Sequence, residues 1–283
     1  MKILADSGST KTDWACITDK GTFHFCTIGM NPYFITTERV VAELSANFPK
    51  NGEAASVSEV HFYGSGCGRD ESKQVVEKAL RVFFPLASIS VESDLVGAAV
   101  ACYGADAGLV AILGTGMNVG YWNGKTLETP LPSLGFILGD EASGADIGKR
   151  LVRGVFEKRL PQSLIDTFFA SYPISLQELL DKVYKQSCPN AFLAQFAPFV
   201  IAHKNESAMQ EIINEAFSDL FTYYINPLRK TYKTQKISFV GSIAHALSEY
   251  IVLKTQNEKC SLEKIISRPL DFLERKNNSS IIR

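Results

Sequence analysis

The segment Lys2-Ile-Leu-Ala-Asp-Ser-Gly-Ser-Thr-Lys-Thr-Asp13 carries the strongest structural signal in this chain. Its apolar start predicts a strand that ends in one acid, Asp6. The turn that follows is made of Ser7, Gly8, Ser9 and Thr10. A second strand is expected from about Thr12 to Ile17, so the whole segment predicts a glycine-bearing hairpin.

This hairpin turn has the chemistry of an anion site. Glycine lets the backbone bend sharply and lie close to a ligand. Successive backbone N–H groups in such a turn form a nest for anions, and hydroxyl side chains add donors. An acid beside a phosphate is tolerated when a divalent cation lies between them. The segment therefore predicts half of a nucleotide phosphate site. It is not a Walker loop, which requires a following helix and a Gly-Lys-Ser/Thr ending.

The composition is that of an ordinary globular protein, and its 283 residues suit two modest domains. Hydrophobic residues make up 46% of the chain and charged residues 21%. The net charge of -1 gives no electrostatic reason to expect a nucleic-acid or membrane-surface partner.

The sequence also bears on targeting and on the redox state of the cysteines. The early charge at Lys2 argues against a signal peptide, and no run reaches the roughly 18 apolar residues of a spanning helix. Six cysteines are scattered without a CxxC pair. Neither a zinc site nor a disulfide framework is therefore predicted. Reduced thiols in a cytoplasmic protein are the simplest expectation.

Hydrophobic patterning divides the first part of the chain into alternating strands and helices. The pattern predicts strands at 2–7, 12–18, 22–28, 57–63 and 87–91, and helices at 37–48, 70–83 and 94–102. A second series follows, with a strand at 109–113, a glycine loop at 114–118, an extended segment at 119–122 and a hairpin turn at Asn123-Gly124. The strand, glycine turn and strand thus occur twice.

This weak internal repeat predicts two lobes of related α/β topology, with a boundary near residue 105. The N-terminal lobe is expected to cover 1–105, with the final helix 269–283 as a possible addition, and the C-terminal lobe 106–268. The second lobe is expected to be largely helical, apart from a strand at 236–240. Apolar residues from 208 to 224 keep helical spacing over four turns and predict a core-facing helix.

Three further segments could carry chemistry. The second glycine turn, Gly114-Thr115-Gly116-Met117-Asn118, lacks the dinucleotide fingerprint and precedes a strand. It suits an ordinary hairpin or, together with the first turn, a clamp on a triphosphate. Gly241-Ser242 opens a helix after a strand and suits either a tight turn or a nucleotide contact. Asp140 and Glu141 suit either acids favoured by a helix dipole or acceptors for sugar hydroxyls.

Single polar residues after strands complete the candidates. Asp94 follows the strand 87–91 and could accept a hydroxyl proton during phosphoryl transfer, although an acid there also suits the first turn of a helix. Asn31 and Ser65 lie in turn-rich segments, where they could hold a polar ligand or simply form the turns.

Taken in order, these segments resemble the sugar-kinase side of the actin, heat-shock chaperone and acetate kinase superfamily. The sequence is most similar to the BadF/BadG/BcrA/BcrD ATPase family, which includes N-acetylglucosamine kinase. The shared order is the first phosphate hairpin (6–12), the helix with Asp94, the second phosphate hairpin (114–118), the Gly-Asp-Glu segment (139–144) and the adenosine turn (241–244). The segment Ser267-Arg-Pro-Leu-Asp-Phe-Leu273 also resembles the family's final segment.

The resemblance implies two ribonuclease-H-like lobes with ATP and Mg²⁺ in the cleft between them. It implies transfer of the γ-phosphoryl group to an amino sugar, with the 6-hydroxyl of N-acetylglucosamine as the expected acceptor. Asp94 would be the catalytic base, and Asp6 would hold Mg²⁺ through water. The implied ATP-binding residues are Ser7, Gly8, Ser9, Thr10, Lys11, Thr12, Gly114, Thr115, Gly116, Gly241 and Ser242. The implied sugar-binding residues are Asn31, Ser65, Asp94, Asp140 and Glu141. A homodimer is expected because related kinases are often dimers.

Two departures from the family pattern bear on activity. Met117 stands where the second phosphate turn commonly has serine, so one hydroxyl donor is lost while the backbone N–H is expected to remain. One neutral hydrogen bond contributes about 0.5–1.5 kcal/mol, so activity is expected to be reduced rather than abolished. The adenosine turn has Gly-Ser where Gly-Gly is usual, which could crowd the nucleotide.

Two other functions stay open at this stage. The first is an ATPase activator of a radical 2-hydroxyacyl-CoA dehydratase, whose iron–sulfur cluster is held by cysteines. Cys67 lies in a suggestive glycine-rich turn, but the second cysteine of that branch is missing. The other is a sugar- or nucleotide-binding sensor without turnover, for which Met117 is the only motive.

Overall fold

The fold comes from a computed structural model that describes residues 1–49 and 54–281, with main chain only from 276 onward. The chain divides into two compact units. The first unit comprises Met1–Asp106, Trp122–Leu127 and the C-terminal segment from Arg268. The second comprises Ala107–Tyr121 and Glu128–Ser267.

The first unit is built on a five-stranded mixed sheet. Its strands are β1 (Lys2–Ser7), β2 (Lys11–Thr18), β3 (Gly21–Ile28), β4 (Glu59–Gly64) and β5 (Ser88–Ser93). The order across the sheet is β3-β2-β1-β4-β5, with β1 antiparallel to β2 and parallel to β4. The strands predicted from the sequence are confirmed to within about two residues at their ends.

The helices of the first unit agree with the sequence pattern. They are α1 (Thr37–Asn47), a 3-10 turn (Ala54–Ser56), α2 (Asp70–Phe83) and α3 (Asp94–Cys102). Thr36 and Ser93 accept hydrogen bonds from backbone N–H groups as the N-caps of α1 and α3. The apolar core contains Trp14 and Phe62, whose ring centroids lie 5.8 Å apart.

The second unit is built on a second five-stranded sheet. Its strands are β6 (Gly108–Leu113), β7 (Met117–Trp122), β8 (Leu127–Glu128), β9 (Lys236–Val240) and β10 (Ser261–Ile266). The order is β10-β9-β6-β7-β8. Numbered from its own first strand, each sheet therefore has the order 3-2-1-4-5 in one direction. The repeated α/β topology predicted from the two glycine turns is confirmed.

Helices fill the long connection between β8 and β9, and two further helices join β9 to β10. They are α4 (Gly135–Leu138), α5 (Gly144–Phe156), α6 (Gln162–Ser171), α7 (Leu176–Tyr184), α8 (Pro189–Ala194), α9 (Ala197–Ala202), α10 (Ser207–Leu220), α11 (Asn226–Tyr232), α12 (Ser242–Ala246) and α13 (Ser248–Asn257). A π-helical turn, Phe221–Ile225, joins α10 to α11.

The C-terminal helix α14 (Pro269–Ile281) belongs to the first unit, where it packs on α3, β1 and β2. Within the described residues, no helix is both long and apolar enough to span a bilayer.

Candidate functional site

Three parallel strands bring the first group of candidate residues to one edge of the first sheet. Ser7, Gly64 and Ser93 are register partners at the carboxyl ends of β1, β4 and β5. The chain then continues into the hairpin turn after Ser7, into the Ser65 loop after Gly64, and into Asp94 after Ser93. Ligands bind at this edge in open α/β sheets because loops and helix N-termini converge there.

The hairpin turn is closed by its own backbone and packed from one side. The Gly8 N–H donates to the Lys11 carbonyl at 2.9 Å, while Thr10 and Lys11 are exposed. Gly29 lies directly against the turn, since a Cβ there would lie 2.5 Å from the Gly8 carbonyl oxygen. The turn therefore has a fixed backbone and an open tip.

The Ser7 and Thr12 hydroxyls point into the unit rather than toward the open tip. Both side chains are fully buried and lie 2.8 Å apart. Thr12 donates to the Ile28 carbonyl at 2.9 Å, and the Met30 N–H donates to the Ser7 hydroxyl at 3.0 Å. These hydroxyls fasten the hairpin to the end of β3, so any contact of these two residues with a phosphate would use main-chain atoms.

Asp6 and Asp94 form an acidic pair at this edge. Burial, and next the negative charge of Asp94, raise the pKa of Asp6 to about 7. Burial raises the pKa of Asp94 to about 6, although the Leu95 N–H donates to its carboxylate at 2.8 Å. Both groups are therefore able to exchange a proton near neutral pH.

A chain of charges, which the sequence did not reveal, surrounds the hairpin. Asp13 is the register partner of Asp6, and its carboxylate lies 2.7 Å from the Lys11 ammonium. Arg268, just before α14, lies 3.6 Å from the same carboxylate. The Cys26 thiol also donates to it at 3.1 Å. Asp13 thus ties Lys11 to the C-terminal segment of this unit.

The predicted sugar-binding residues Asn31 and Ser65 lie together. The Asn31 side-chain amide donates to the Ser65 hydroxyl at 3.2 Å, and the Asn31 Oδ1 atom accepts from the Tyr33 N–H at 3.0 Å. The Ser9 hydroxyl lies 3.5 Å from that of Ser65. Gly66, with φ +82, permits this approach because a Cβ there would lie 2.4 Å from the Asn31 oxygen.

In the second unit, the Gly114–Gly116 turn meets both a helix N-terminus and the Gly241 turn. The Gly144 and Ala145 N–H groups donate to the carbonyls of Gly114 and Thr115, at 2.8 and 3.0 Å. Gly241 has φ +115 and packs on the end of β6, where a Cβ would lie 2.4 Å from the Leu113 carbonyl oxygen. Ser242 is exposed at the start of α12.

Asp140 lies against the same glycine turn. A Cβ on Gly116 would lie 2.9 Å from the Asp140 Oδ2 atom. Burial raises the pKa of Asp140 to about 6. The Met117 N–H, which donates to the carboxylate, opposes this rise, and the negative charge of Glu141 adds to it. Asp140 and Ala142 both have left-handed backbone conformations, with φ 64 and 61. Such strain in non-glycine residues is concentrated at functional sites.

Met117 corrects one expectation from the sequence. Its side chain is 6% exposed and belongs to the apolar core of the second unit, at the first position of β7. Its N–H, which we expected to remain as a phosphate donor, is already bonded to Asp140. The loop predicted for 114–118 is thus shorter by two residues, because β7 begins at Met117.

No model of a protein family matches this chain. A curated relative from Clostridium acetobutylicum, an N-acetylmuramic acid/N-acetylglucosamine kinase, is 24% identical over 164 residues, which cover 56% of this chain and 54% of the relative. The chain thus spans about half the length of the curated relative it matches.

Solved structures match over nearly the whole chain. A candidate N-acetylglucosamine kinase from Porphyromonas gingivalis has a TM-score of 0.89 and 29% identity, covering 96% of this chain and 97% of its own. A ROK-family glucokinase from Streptomyces griseus, solved with glucose and AMPPNP, has a TM-score of 0.55 and 14% identity, covering 95% and 94%. The predicted fold and the predicted resemblance to sugar kinases are confirmed.

Proposed function

We propose that this chain, which has the fold of the actin-like sugar kinases, transfers the γ-phosphoryl group of ATP to a hydroxyl group of an amino sugar. The 6-hydroxyl of N-acetylglucosamine is the expected acceptor. The observation that carries the proposal is the Asp94 carboxyl group, which follows β5 and has its pKa raised to about 6 by burial. Such a group is ionised at neutral pH and basic enough to accept the proton of an attacking hydroxyl.

Two of the similar proteins support the reaction class. The relatives from Clostridium acetobutylicum and Porphyromonas gingivalis are described as kinases that act on N-acetylglucosamine. The Streptomyces griseus glucokinase was solved in complex with glucose and the ATP analogue AMPPNP. ATP as the phosphoryl donor and an amino sugar as the acceptor are therefore our proposal for this chain.

A divalent cation fits the acidic pair of the first unit. Asp6 would hold Mg²⁺ through water, because a cation there would offset the repulsion by Asp94 that raises the pKa of Asp6. When bound, Mg²⁺ supplies neutralisation of the phosphate charge. Lys11, held by Asp13 at 2.7 Å, adds a positive charge at the exposed tip of the hairpin.

The remaining residues bind and orient. The main chain of the 7–12 turn and the Gly114–Gly116 turn would contact phosphates, and Gly241 with Ser242 would contact the adenosine. Asn31, Ser65, Asp140 and Glu141 would hold the sugar hydroxyls and the N-acetyl group, while Asp94 accepts the proton. Asn31 and the two acids offer amide and carboxylate oxygens to the sugar hydroxyls, and Ser65 offers a hydroxyl that can donate or accept.

An ADP-release assay over a panel of sugars tests the proposal. The panel is N-acetylglucosamine, N-acetylmannosamine, N-acetylmuramic acid, glucosamine and glucose, with the product located by NMR. We expect sugar-dependent ADP release, greatest with N-acetylglucosamine, and phosphorus on its 6-oxygen. Binding of sugar and ATP without any product would instead indicate a sensor.

The Asp94→Asn variant tests the assigned base. Loss of one general base lowers turnover by about 10²–10⁴-fold, whereas ATP binding should persist. Glu92→Gln is the matched control, because Glu92 is a carboxylate on β5 that pairs with Lys73 at 2.9 Å. Undiminished turnover in Asp94→Asn would show that the base is assigned to the wrong residue.

The alternative of a dehydratase activator is tested by colour. Cys67 is buried, and burial raises the pKa of its thiol to about 12, which disfavours the thiolate that a cluster requires. Protein purified without oxygen should therefore be colourless, and a broad brown absorption would support the alternative.

We also propose that the protein is a cytoplasmic homodimer. Analytical ultracentrifugation of the purified protein would measure the number of subunits.

A further inference from the structure

The π-helical turn in the second unit places one buried tyrosine against the Gly-Asp-Glu segment. The sequence pattern predicts that Tyr224 continues the core face of the preceding helix. Tyr224 does lie in the apolar core, but α10 ends at Leu220 and the chain adopts a π-helical turn over Phe221–Ile225. A π-helical turn changes the direction in which later side chains leave the helix, and such turns are frequent at functional sites.

The Tyr224 hydroxyl reaches two members of the Gly-Asp-Glu segment. It lies against Gly139, where a Cβ would lie 3.1 Å from the hydroxyl oxygen. It also lies close enough to the Glu141 carboxylate for that negative charge to act on it. Burial, and next the charge of Glu141, raise the pKa of Tyr224 to about 12, so the hydroxyl keeps its proton and acts as a donor.

The segment that Tyr224 touches has a strained backbone. Asp140 and Ala142 flank Glu141, and both have positive φ. Residues in such conformations persist only when surrounding contacts hold them there. One oxygen of Glu141, Oε2, is buried and has no hydrogen-bond partner among the described residues. The neighbouring Tyr224 hydroxyl is a donor placed to satisfy this carboxylate.

We infer that Tyr224 is a positioning residue for the acceptor sugar, because its hydroxyl holds Glu141 and thereby fixes the backbone that presents Asp140. This inference rests on the proposed function for the identity of the ligand. Asp140 is packed on Gly116, and the segment after it continues into α5, whose first N–H groups donate to the glycine turn. A loosened Glu141 would thus displace Asp140 while leaving the nucleotide residues of the first unit in place.

Tyr224→Phe tests the inference because it removes only the hydroxyl. We expect the KM for the sugar to rise about tenfold, as is typical for loss of one hydrogen bond to a charged group. The KM for ATP and kcat should stay within about twofold of the wild type. Tyr223→Phe is the matched control, since Tyr223 lies in the same turn and is 59% exposed. Its kinetics should equal those of the wild type.

A double variant separates positioning through Glu141 from a general loss of packing. Glu141→Ala should raise the KM for the sugar, and adding Tyr224→Phe to it should cause little further loss, because the two residues act through one contact. Additive losses would overturn the inference. An unchanged KM in Tyr224→Phe, or equal rises in both KM values, would overturn it as well.

Hydrogen exchange distinguishes failure of this inference from failure of the proposed function. The Ser143 N–H donates to the Asp140 carbonyl, whereas the Gly144 and Ala145 N–H groups donate to the glycine turn. The Ser143 amide should exchange faster in Tyr224→Phe than in Tyr223→Phe, whether or not any sugar is phosphorylated. A wild type without kinase activity would refute the proposed function alone, whereas unchanged exchange would refute the role of Tyr224.

Discussion

Asp94 raises the pKa of Asp6 by its negative charge, and this repulsion adds to the larger effect of burial. The two carboxyl groups belong to different elements, since Asp6 lies in β1 and Asp94 begins α3. Parallel pairing of β1 with β4 and of β4 with β5 brings these elements to one edge. Repulsion within this acidic pair destabilises the fold, and the positive charge of Arg268 offsets it only in part. Carboxyl groups with pKa values shifted in this way are frequent at functional sites.

The pH dependence of catalysis follows from Asp94. Its carboxyl group must be ionised to accept a proton, and its pKa is raised to about 6 by burial. We expect kcat/KM for the sugar to be constant above pH 7 and to fall about tenfold per pH unit below pH 6. Glu92→Gln should keep this acidic limb. A profile that stays flat down to pH 5, in protein that circular dichroism shows to be folded, would contradict the prediction.

In the ligand-free protein, the contribution of Asp6 to stability should change with pH in the opposite sense to that of a carboxylate whose pKa is lowered on folding. The pKa of Asp6 rises from 3.8 to about 7 on folding, so the folded state binds the proton more tightly than the unfolded state. The contribution of Asp6 to the free energy of unfolding therefore falls as the pH rises from about 4 to 7.

Asp6→Asn removes this penalty and should raise the melting temperature at pH 8 by a few degrees, with a smaller effect at pH 5. Asp19→Asn, in the exposed turn between β2 and β3, is the control and should leave the melting temperature unchanged at both values. Differential scanning calorimetry measures both variants. A lower melting temperature for Asp6→Asn at pH 8 would show that Asp6 stabilises the fold when ionised.

The Gly241 turn should tolerate no side chain. Gly241 has φ +115, and a Cβ would lie 2.4 Å from the Leu113 carbonyl oxygen. Gly241→Ala should lower the free energy of unfolding by roughly 1–3 kcal/mol and weaken ATP binding, because the turn must move away from β6. Gly68→Ala is the control, since nothing lies within 4 Å of a Cβ at that position. Urea unfolding compares the two, and equal stabilities would contradict the structure.

The sequence predicted most strands and helices because their signals are local. Alternating apolar residues and glycine turns indicated β1 to β7 and β9 correctly, apart from their ends. The sequence analysis missed β10, whose burial is confined mainly to its last residue, Ile266. The pairing of β10 with β9 is a long-range property that its lysine and glutamate residues conceal.

The sequence predicted those residues of the candidate site that belong to a recognisable motif. Glycine turns and acids after strands pointed to Asp6, Asp94 and Asp140. Asp13 and Arg268 were missed because their pairing joins residues far apart in the chain. Tyr224 was missed because a π-helical turn leaves no trace in the spacing of apolar residues. The alternation of the strands could have shown that Thr12 faces inward, since Trp14 and Cys16 on the same face are buried.

Met117 provides a direct test of whether the second glycine turn lacks a phosphate donor. If its side chain faced the phosphates, Met117→Ser would restore a hydroxyl donor and strengthen ATP binding. The structure instead buries Met117 in the core of the second unit. Serine there would leave a cavity and a buried hydroxyl, so the free energy of unfolding should fall by about 2–5 kcal/mol.

Met117→Leu, which conserves volume, should cost less than about 1.5 kcal/mol and leave the KM for ATP unchanged. Urea unfolding and ATP titration of both variants give the comparison. Tighter ATP binding by Met117→Ser at wild-type stability would show that this side chain faces the nucleotide rather than the core. A lower free energy of unfolding without tighter ATP binding would show that Met117 is a packing residue. The Met117 N–H donates to Asp140 and would do so with either substituted side chain.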